Sequence, residues 1–200
     1  MNMDSNKTRG QNALKKEIFD WLDTIVIAVI AVIFIFTALF RVATIVGESM
    51  QNTFFENEKV VITKLFYKPN VGDVVVISRN ADNSTDKESY QEPIIKRVIA
   101  TGSQYVDIDF KNGNVYVGYT QSDMELLYEP YIKIPTYNKG DVDFPLYVPE
   151  GMVFVLGDNR AESLDSRYSS IGLVDEKNIL GKVVFRIYPF TKIGAVGNYE

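Results

Sequence analysis

The chain has 200 residues, a net charge of -5 from 21 basic and 26 acidic side chains, and neither cysteine nor histidine. The two zeros exclude disulfides, thiolate nucleophiles, Cys-built zinc or iron–sulfur centres, Ser-His-Asp and Cys-His machinery, and His-built metal sites. Any catalysis must run on Ser, Thr, Lys, Tyr, Asp, Glu or Arg. At 46% hydrophobic and 24% charged the chain is too apolar for disorder.

The first element is apolar. Thr24–Phe40 reads TIVIAVIAVIFIFTALF, seventeen residues without a charge. At about 1.5 Å per residue it spans roughly 25 Å, the short end of a transmembrane helix. It is longer than the core of a cleaved signal peptide, and Arg41 follows without a clean A-x-A site. All its faces are equally apolar, unlike a helix packed on a soluble core. Lys7, Arg9, Lys15 and Lys16 precede it, whereas Arg41 stands nearly alone after it. The positive-inside rule therefore expects a cytoplasmic segment 1–23, a single-pass helix 24–40 in the cell membrane, and residues 42–200 outside. Trp21 stands where an interfacial aromatic anchors such a helix. Residues 42–200 hold 16 basic and 22 acidic side chains, and this acidic body without a basic stripe argues against nucleic acid.

Beyond the anchor the pattern has period two. Candidate strands are Lys59–Thr63, Asp73–Ser78, Pro93–Ala100, Tyr105–Phe110, Asn114–Gly118, Met152–Leu156 and Gly181–Tyr188, rich in Val, Ile, Phe and Tyr. Asn112-Gly113 between two of them signals a hairpin. Arg79–Glu92 is polar and reads as a solvated loop. Tyr119–Pro149 carries four of the seven prolines and five tyrosines. It reads as part of a small extended cap inserted at about residues 105–149. The body is mainly β.

Three places offer chemistry. Gly47-Glu48-Ser49-Met50-Gln51-Asn52-Thr53 sets a serine beside a glycine turn, where a hydroxyl can be exposed near backbone N–H groups. Taken alone it is equally an ordinary loop. In Ile94-Ile95-Lys96-Arg97-Val98-Ile99, Lys96 shares one face with Ile94 and Val98, and Arg97 the other with Ile95 and Ile99. If Lys96 points inward, desolvation favours the neutral amine and makes it available as a base. Read alone, the pair is more simply two exposed cations on an edge strand. The third place, Gly157-Asp158-Asn159-Arg160-Ala161-Glu162-Ser163-Leu164-Asp165-Ser166-Arg167, follows an apolar strand. Asp165 and Arg167 lie on one face of an extended chain and can pair. It fails as an EF-hand, because Arg160 stands where a ligand is needed.

Taken in order, an anchor, an S-M motif at the membrane, a K-R-V strand and a G-D-N-R-x-x-S-x-D-S-R loop, the chain resembles the type I signal peptidases. Its single anchor and compact size resemble the Gram-positive members. The likeness covers nearly the whole chain, and Gly157 to Arg167 fits the family pattern at every defining position. It implies an antiparallel β-sheet catalytic domain with a small inserted β cap. It also implies a membrane-anchored serine endopeptidase that cleaves signal peptides from exported precursors after small residues.

The resemblance makes Ser49 the nucleophile and Lys96 its general base, without metal or cofactor. It makes Ser163 the hydroxyl that orients the lysine, and Asp165 with Arg167 a buried pair holding the loop, supported by Asp158 and Asn159. Met50 would lie near the substrate pocket. The family binds its substrate as an added strand, so the segments before Ser49 and Lys96 become pairing edges, with Ile45 and Ile95 lining the pocket.

Three positions depart from the family pattern. The motif is S-M-x-P-T, and Asn52 replaces its proline; losing that fixed φ should loosen the turn behind the nucleophile. Gly47 lacks the hydroxyl that some members offer to the oxyanion. Thr101-Gly102-Ser103 lacks the acidic residue usual after the glycine. A rival reading, motivated by Asn52, is a non-catalytic relative that assembles or processes surface proteins such as pilins. An anchored β-domain for binding or adhesion is weaker, since it leaves three matched motifs to coincidence. The separation of Ser49 Oγ and Lys96 Nζ discriminates: about 3–3.5 Å suits a dyad, and beyond roughly 6 Å the assembly factor.

Overall fold

The structure is a computed structural model that describes residues 3–78 and 92–197. It divides into two compact units, Met1–Phe40 and Arg41–Glu200.

The first unit is one helix, α1 (Met3–Leu39). Its most apolar stretch, Phe19–Thr37, has a mean hydropathy of 2.3 and is long enough to cross a membrane. The helix starts far upstream of Thr24 because residues 3–23 continue it. At the other end Phe40, expected in the helix, begins a strand. Within the apolar stretch the Thr24 and Thr37 hydroxyls donate to backbone carbonyls one turn back, at Asp20 and Ile33. Those hydroxyl hydrogens are thus satisfied within the helix itself.

The second unit is mainly β. Its strands are β1 (Phe40–Thr44), β2 (Lys59–Thr63), β3 (Val74–Ile77), β4 (Ile94–Ala100), β5 (Gln104–Asp109), β6 (Asn114–Gly118), β7 (Glu125–Leu126), β8 (Leu146–Val148), β9 (Met152–Leu156), β10 (Val174–Asp175), β11 (Ile179–Tyr188) and β12 (Gly194–Ala195). The larger sheet runs β1-β2-β11-β3-β4-β9-β10, with β12 on β11; a second runs β7-β6-β5-β8. The pairings of β3, β4, β5, β6, β9 and β11 are antiparallel.

All seven candidate strands are present: Lys59–Thr63, Asn114–Gly118 and Met152–Leu156 keep the expected bounds, and the other four differ by one or two residues at one or both ends. The Asn112-Gly113 hairpin joins β5 and β6, which pair up to Asp109 and Asn114. Its turn is tied by Gly113 N–H to Asp109 O at 2.6 Å, with the Asp109 carboxylate bonding Lys111 and Asn112. The expected cap region forms the four-stranded sheet. The expected loop Arg79–Glu92 lies, except for Glu92, outside the described residues.

Burial explains the strand patterns. β5 alternates buried and half-buried positions, as a sheet covered on one face should. β3 and β4 are buried almost throughout, because both faces are covered; β3 is a continuous apolar run, and β4 is one interrupted by Lys96 and Arg97. One apolar cluster joins Ile45, Met50 and Phe54, from the chain around Ser49, to Val60, Val74 and Ile95 of the sheet. That cluster seats the Ser49 segment on the strand that carries Lys96.

Candidate active site

Ser49 lies on the loop between β1 and β2. The loop closes where Ile45 N–H donates to Glu58 O at 2.8 Å and Asn57 N–H to Ile45 O at 2.9 Å. Within it, Gln51 N–H reaches Glu48 O, and the N–H groups of Thr53 and Phe54 both reach Met50 O. Gly47 has φ +79 and Asn52 has φ +88. Asparagine is one of the few side-chain-bearing residues that enters this region readily. The turn is therefore closed and hydrogen-bonded where a looser one was expected.

Lys96 lies on β4 with only 3% of its surface exposed. Its register partner is Val75 of β3, and on the other side β9 pairs with β4 from Arg97 onward. β4 is thus flanked on both sides from Arg97 onward, and Arg97 is fully buried as well. The reading of two exposed cations on an edge strand is corrected here: both side chains are buried. Lys96 Nζ lies 2.7 Å from Ser49 Oγ. Two residues 47 positions apart in sequence meet as a hydroxyl and an amine at bonding distance.

The loop after β9 binds this pair from behind. Asn159 N–H donates to Ser49 O at 3.0 Å, and its side-chain amide donates to Glu48 O at 3.2 Å. Asp158 accepts Arg97 Nε at 2.8 Å and Nη2 at 2.6 Å, and the Thr53 hydroxyl also donates to it. Arg97 Nη1 donates to Gly72 O. The residue beside the lysine and a residue past the serine therefore share one carboxylate. Gly157 makes the close approach possible: a Cβ there would collide with Ser163 Oγ and Ser49 O.

Asp165 and Arg167 form a fully buried two-pronged pair, Nε to Oδ1 at 2.8 Å and Nη2 to Oδ2 at 2.9 Å. Asp165 also accepts Gly157 N–H, while Arg167 donates to the carbonyls of Asn138, Arg160 and Ser163. Ser163 is buried beside Gly157, but its Oγ has no hydrogen-bond partner among the described residues. The bond from Ser163 to Lys96 that the resemblance implies is not formed in this structure.

Several partners had no assigned role in the sequence. Arg160 is buried, donates to Gly157 O and Thr136 Oγ1, and forms an ion pair with Glu129. Burial pulls its guanidinium down, but the Glu129 charge and hydrogen bond outweigh that and hold it above the usual value. The signal was present: an arginine in a loop behind an apolar strand, where a calcium ligand should have been. Arg97 gave no signal beyond its place next to Lys96.

A pocket of about 440 Å³ opens between the segments that precede Ser49 and Lys96, lined by Ala43, Ile45, Ile62, Val76, Ile95 and Leu180 among others. Ile45 and Ile95 are thus placed together on an apolar groove. Met50 is not in its lining; it packs under the loop in the same cluster. β9 pairs with β4 from Arg97 to Ala100, and Ile94–Lys96 precede that stretch of the strand.

The model of the family described as signal peptidase, peptidase S26, matches residues 18–188. The chain belongs to this family. It is 33% identical over 197 residues to signal peptidase IB of Staphylococcus aureus (strain COL), covering 90% of this chain and 94% of that one. It is 33% identical over 192 residues to signal peptidase I P of Bacillus subtilis subsp. natto, with the same coverage. A solved signal peptidase I from Enterococcus faecalis V583 overlaps 58% of this chain and 97% of its own, at a TM-score of 0.42 and 26% identity. As a signal peptidase of this family, the chain is a serine endopeptidase.

Proposed function

We propose that this signal peptidase cleaves the signal peptides of exported precursors with Ser49 as nucleophile and Lys96 as general base. The observation that carries the reading is the 2.7 Å contact between Ser49 Oγ and Lys96 Nζ, with the lysine buried. Burial disfavours the ammonium form, the direction a general base requires. The same distance argues against the assembly-factor reading.

The steps follow from that pair. Neutral Lys96 takes the Ser49 proton as Oγ attacks the scissile carbonyl, and the proton then passes to the leaving amine. The product is an acyl-enzyme ester on Ser49. Lys96 next accepts a proton from water, whose oxygen attacks the ester. The lysine passes that proton to Ser49 Oγ as the ester bond breaks and the new carboxyl terminus leaves. Asp158, Asn159, Asp165 and Arg167 hold the loop against the Ser49 turn. Ser163 supplies an uncommitted hydroxyl next to it.

The precursor would enter as an extended strand along the Ile94–Lys96 edge and put its side chains toward Ile45 and Ile95. Small residues at the cut keep its backbone close to Ser49. The apolar helix would anchor the enzyme as a single span with the N-terminus in the cytoplasm and the catalytic domain outside.

The test is processing of a precursor with an A-x-A site by the native enzyme, Ser49→Ala and Lys96→Ala. Cleavage should vanish in both variants. Activity of the native enzyme should fall as acid protonates the amine. Cleavage by Ser49→Ala, or a flat rate from about pH 5 to 10, rejects the dyad.

A further inference from the structure

The loop that carries Ser49 is held at a second point, from a strand remote in sequence. Arg186 of β11 donates Nη2 to Thr53 O at 2.5 Å. Its Nε lies 3.2 Å from Glu58 Oε2, and its guanidinium carbon stands 4.7 Å from the Phe54 ring centroid. Glu58 is buried, and its backbone carbonyl closes the loop on Ile45. One guanidinium thus grips the segment after the nucleophile and the residue that shuts the loop.

We propose that Arg186, oriented by Glu58, is a positioning residue that sets Ser49 Oγ against Lys96. The proposal rests on the dyad reading above. Thr53 shows the route. Its carbonyl is bound by Arg186, and its hydroxyl by Asp158, which Arg97 holds beside Lys96. The chain of bonds from β11 to β4 fixes the distance between the serine turn and the lysine strand. A displacement of about 1 Å between reacting groups can cost a hundredfold in rate. Arginine suits the place because its planar fork donates to the Thr53 carbonyl and sets a second nitrogen in ion-pair range of Glu58 while its face lies on a ring; a lysine ammonium is a point charge. Arg186 touches no reacting atom, so its effect passes through Thr53.

The surroundings provide the test. A cavity of about 400 Å³ lined by Asn52, Thr53, Arg186 and Lys192 among others opens at this guanidinium. A small planar cation can enter it. Full-length enzyme in detergent is assayed on a precursor as native, Arg186→Ala, Arg186→Lys, Glu58→Gln and Ser49→Ala. Arg186→Ala should lower kcat roughly 10- to 100-fold, with KM changed by no more than about twofold. Added guanidinium ion should restore part of that kcat in Arg186→Ala and none in Ser49→Ala. Arg186→Lys should fall between, and Glu58→Gln should lower kcat in the same sense without removing bulk. The acid limb of the pH profile should stay in place, because Lys96 is untouched.

An unchanged kcat in Arg186→Ala, with Ser49→Ala inactive, overturns the positioning role and leaves the dyad standing. A loss that tracks a fall in Tm and gains nothing from guanidinium assigns Arg186 to the fold alone and likewise overturns it. Cleavage by Ser49→Ala overturns both readings.

Discussion

Asn52 shows how one residue alters the reading of a motif. Its φ of +88 lies where proline, fixed near -65°, cannot stand. Asn52 is therefore not a softer version of the proline in the family pattern; the backbone here takes a different turn. Glycine suits this conformation, alanine pays about 1 kcal/mol for it, and proline forbids it. Accordingly Asn52→Gly should keep native kcat, and Asn52→Ala should lose about 1 kcal/mol of stability in urea unfolding. Asn52→Pro should lower kcat at least about tenfold, since the two N–H bonds on Met50 O must be rebuilt. Native activity in Asn52→Pro would show that this turn does not govern Ser49.

At the scale of elements, the site is a contact between a β1–β2 loop, a central strand and a β9 loop, joined by buried charge. Arg97 and Asp158 are both fully buried. Removing one partner leaves the other uncompensated, and such losses run to about 3–5 kcal/mol. Asp158→Ala should therefore lower unfolding free energy by that order and slow cleavage, because Thr53 loses its acceptor as well. The double variant Arg97→Met with Asp158→Leu should recover much of the stability but not the rate, as read by denaturant midpoints beside kcat. Equal stability in the two would mean that the carboxylate alone matters. The long strands other than β1 (Phe40–Thr44), which follows the apolar helix without a turn signal, were legible because Val, Ile, Phe and Tyr alternate or run on between turn residues. β7, β8, β10 and β12 were not, since two or three residues carry no period and pair only through tertiary contact. Ser49 and Lys96 were legible as motif members. The burial of Lys96 was not, because period-two alternation leaves open which face is covered. The pairs Arg97–Asp158 and Arg160–Glu129 join residues 61 and 31 positions apart, which no local pattern announces.

Over the whole molecule, one buried and one half-buried phenol set an alkaline limit on stability. Tyr131 lies with its ring 3.9 Å from the Arg97 guanidinium carbon and donates its hydroxyl to Glu129, the partner of Arg160. Burial first, then the Glu129 charge, push its phenol above the ordinary value, against the opposing pull of Arg160 and Arg97. Tyr67 donates to Asp73, which also pairs with Lys182. Burial, the Asp73 bond and the charges of Asp73 and Glu176 raise that phenol too. Both folded values exceed the unfolded one, so the neutral forms belong to the native state. Their contribution is complete below the unfolded value near pH 10 and is lost as pH climbs toward the folded values, because the unfolded chain then binds fewer protons. For Tyr131 the decline should approach about 1.4 kcal/mol per pH unit once the unfolded phenol is ionised. Urea midpoints of the full-length protein in detergent should therefore drop steeply above about pH 10. Tyr131→Phe should be less stable at neutral pH, having lost the bond to Glu129, yet flatter in the alkaline range. The comparison of native with variant isolates the phenol. An alkaline slope unchanged in Tyr131→Phe would mean that this tyrosine ionises as readily folded as unfolded, and that the Arg97–Tyr131–Glu129 stack is open to water.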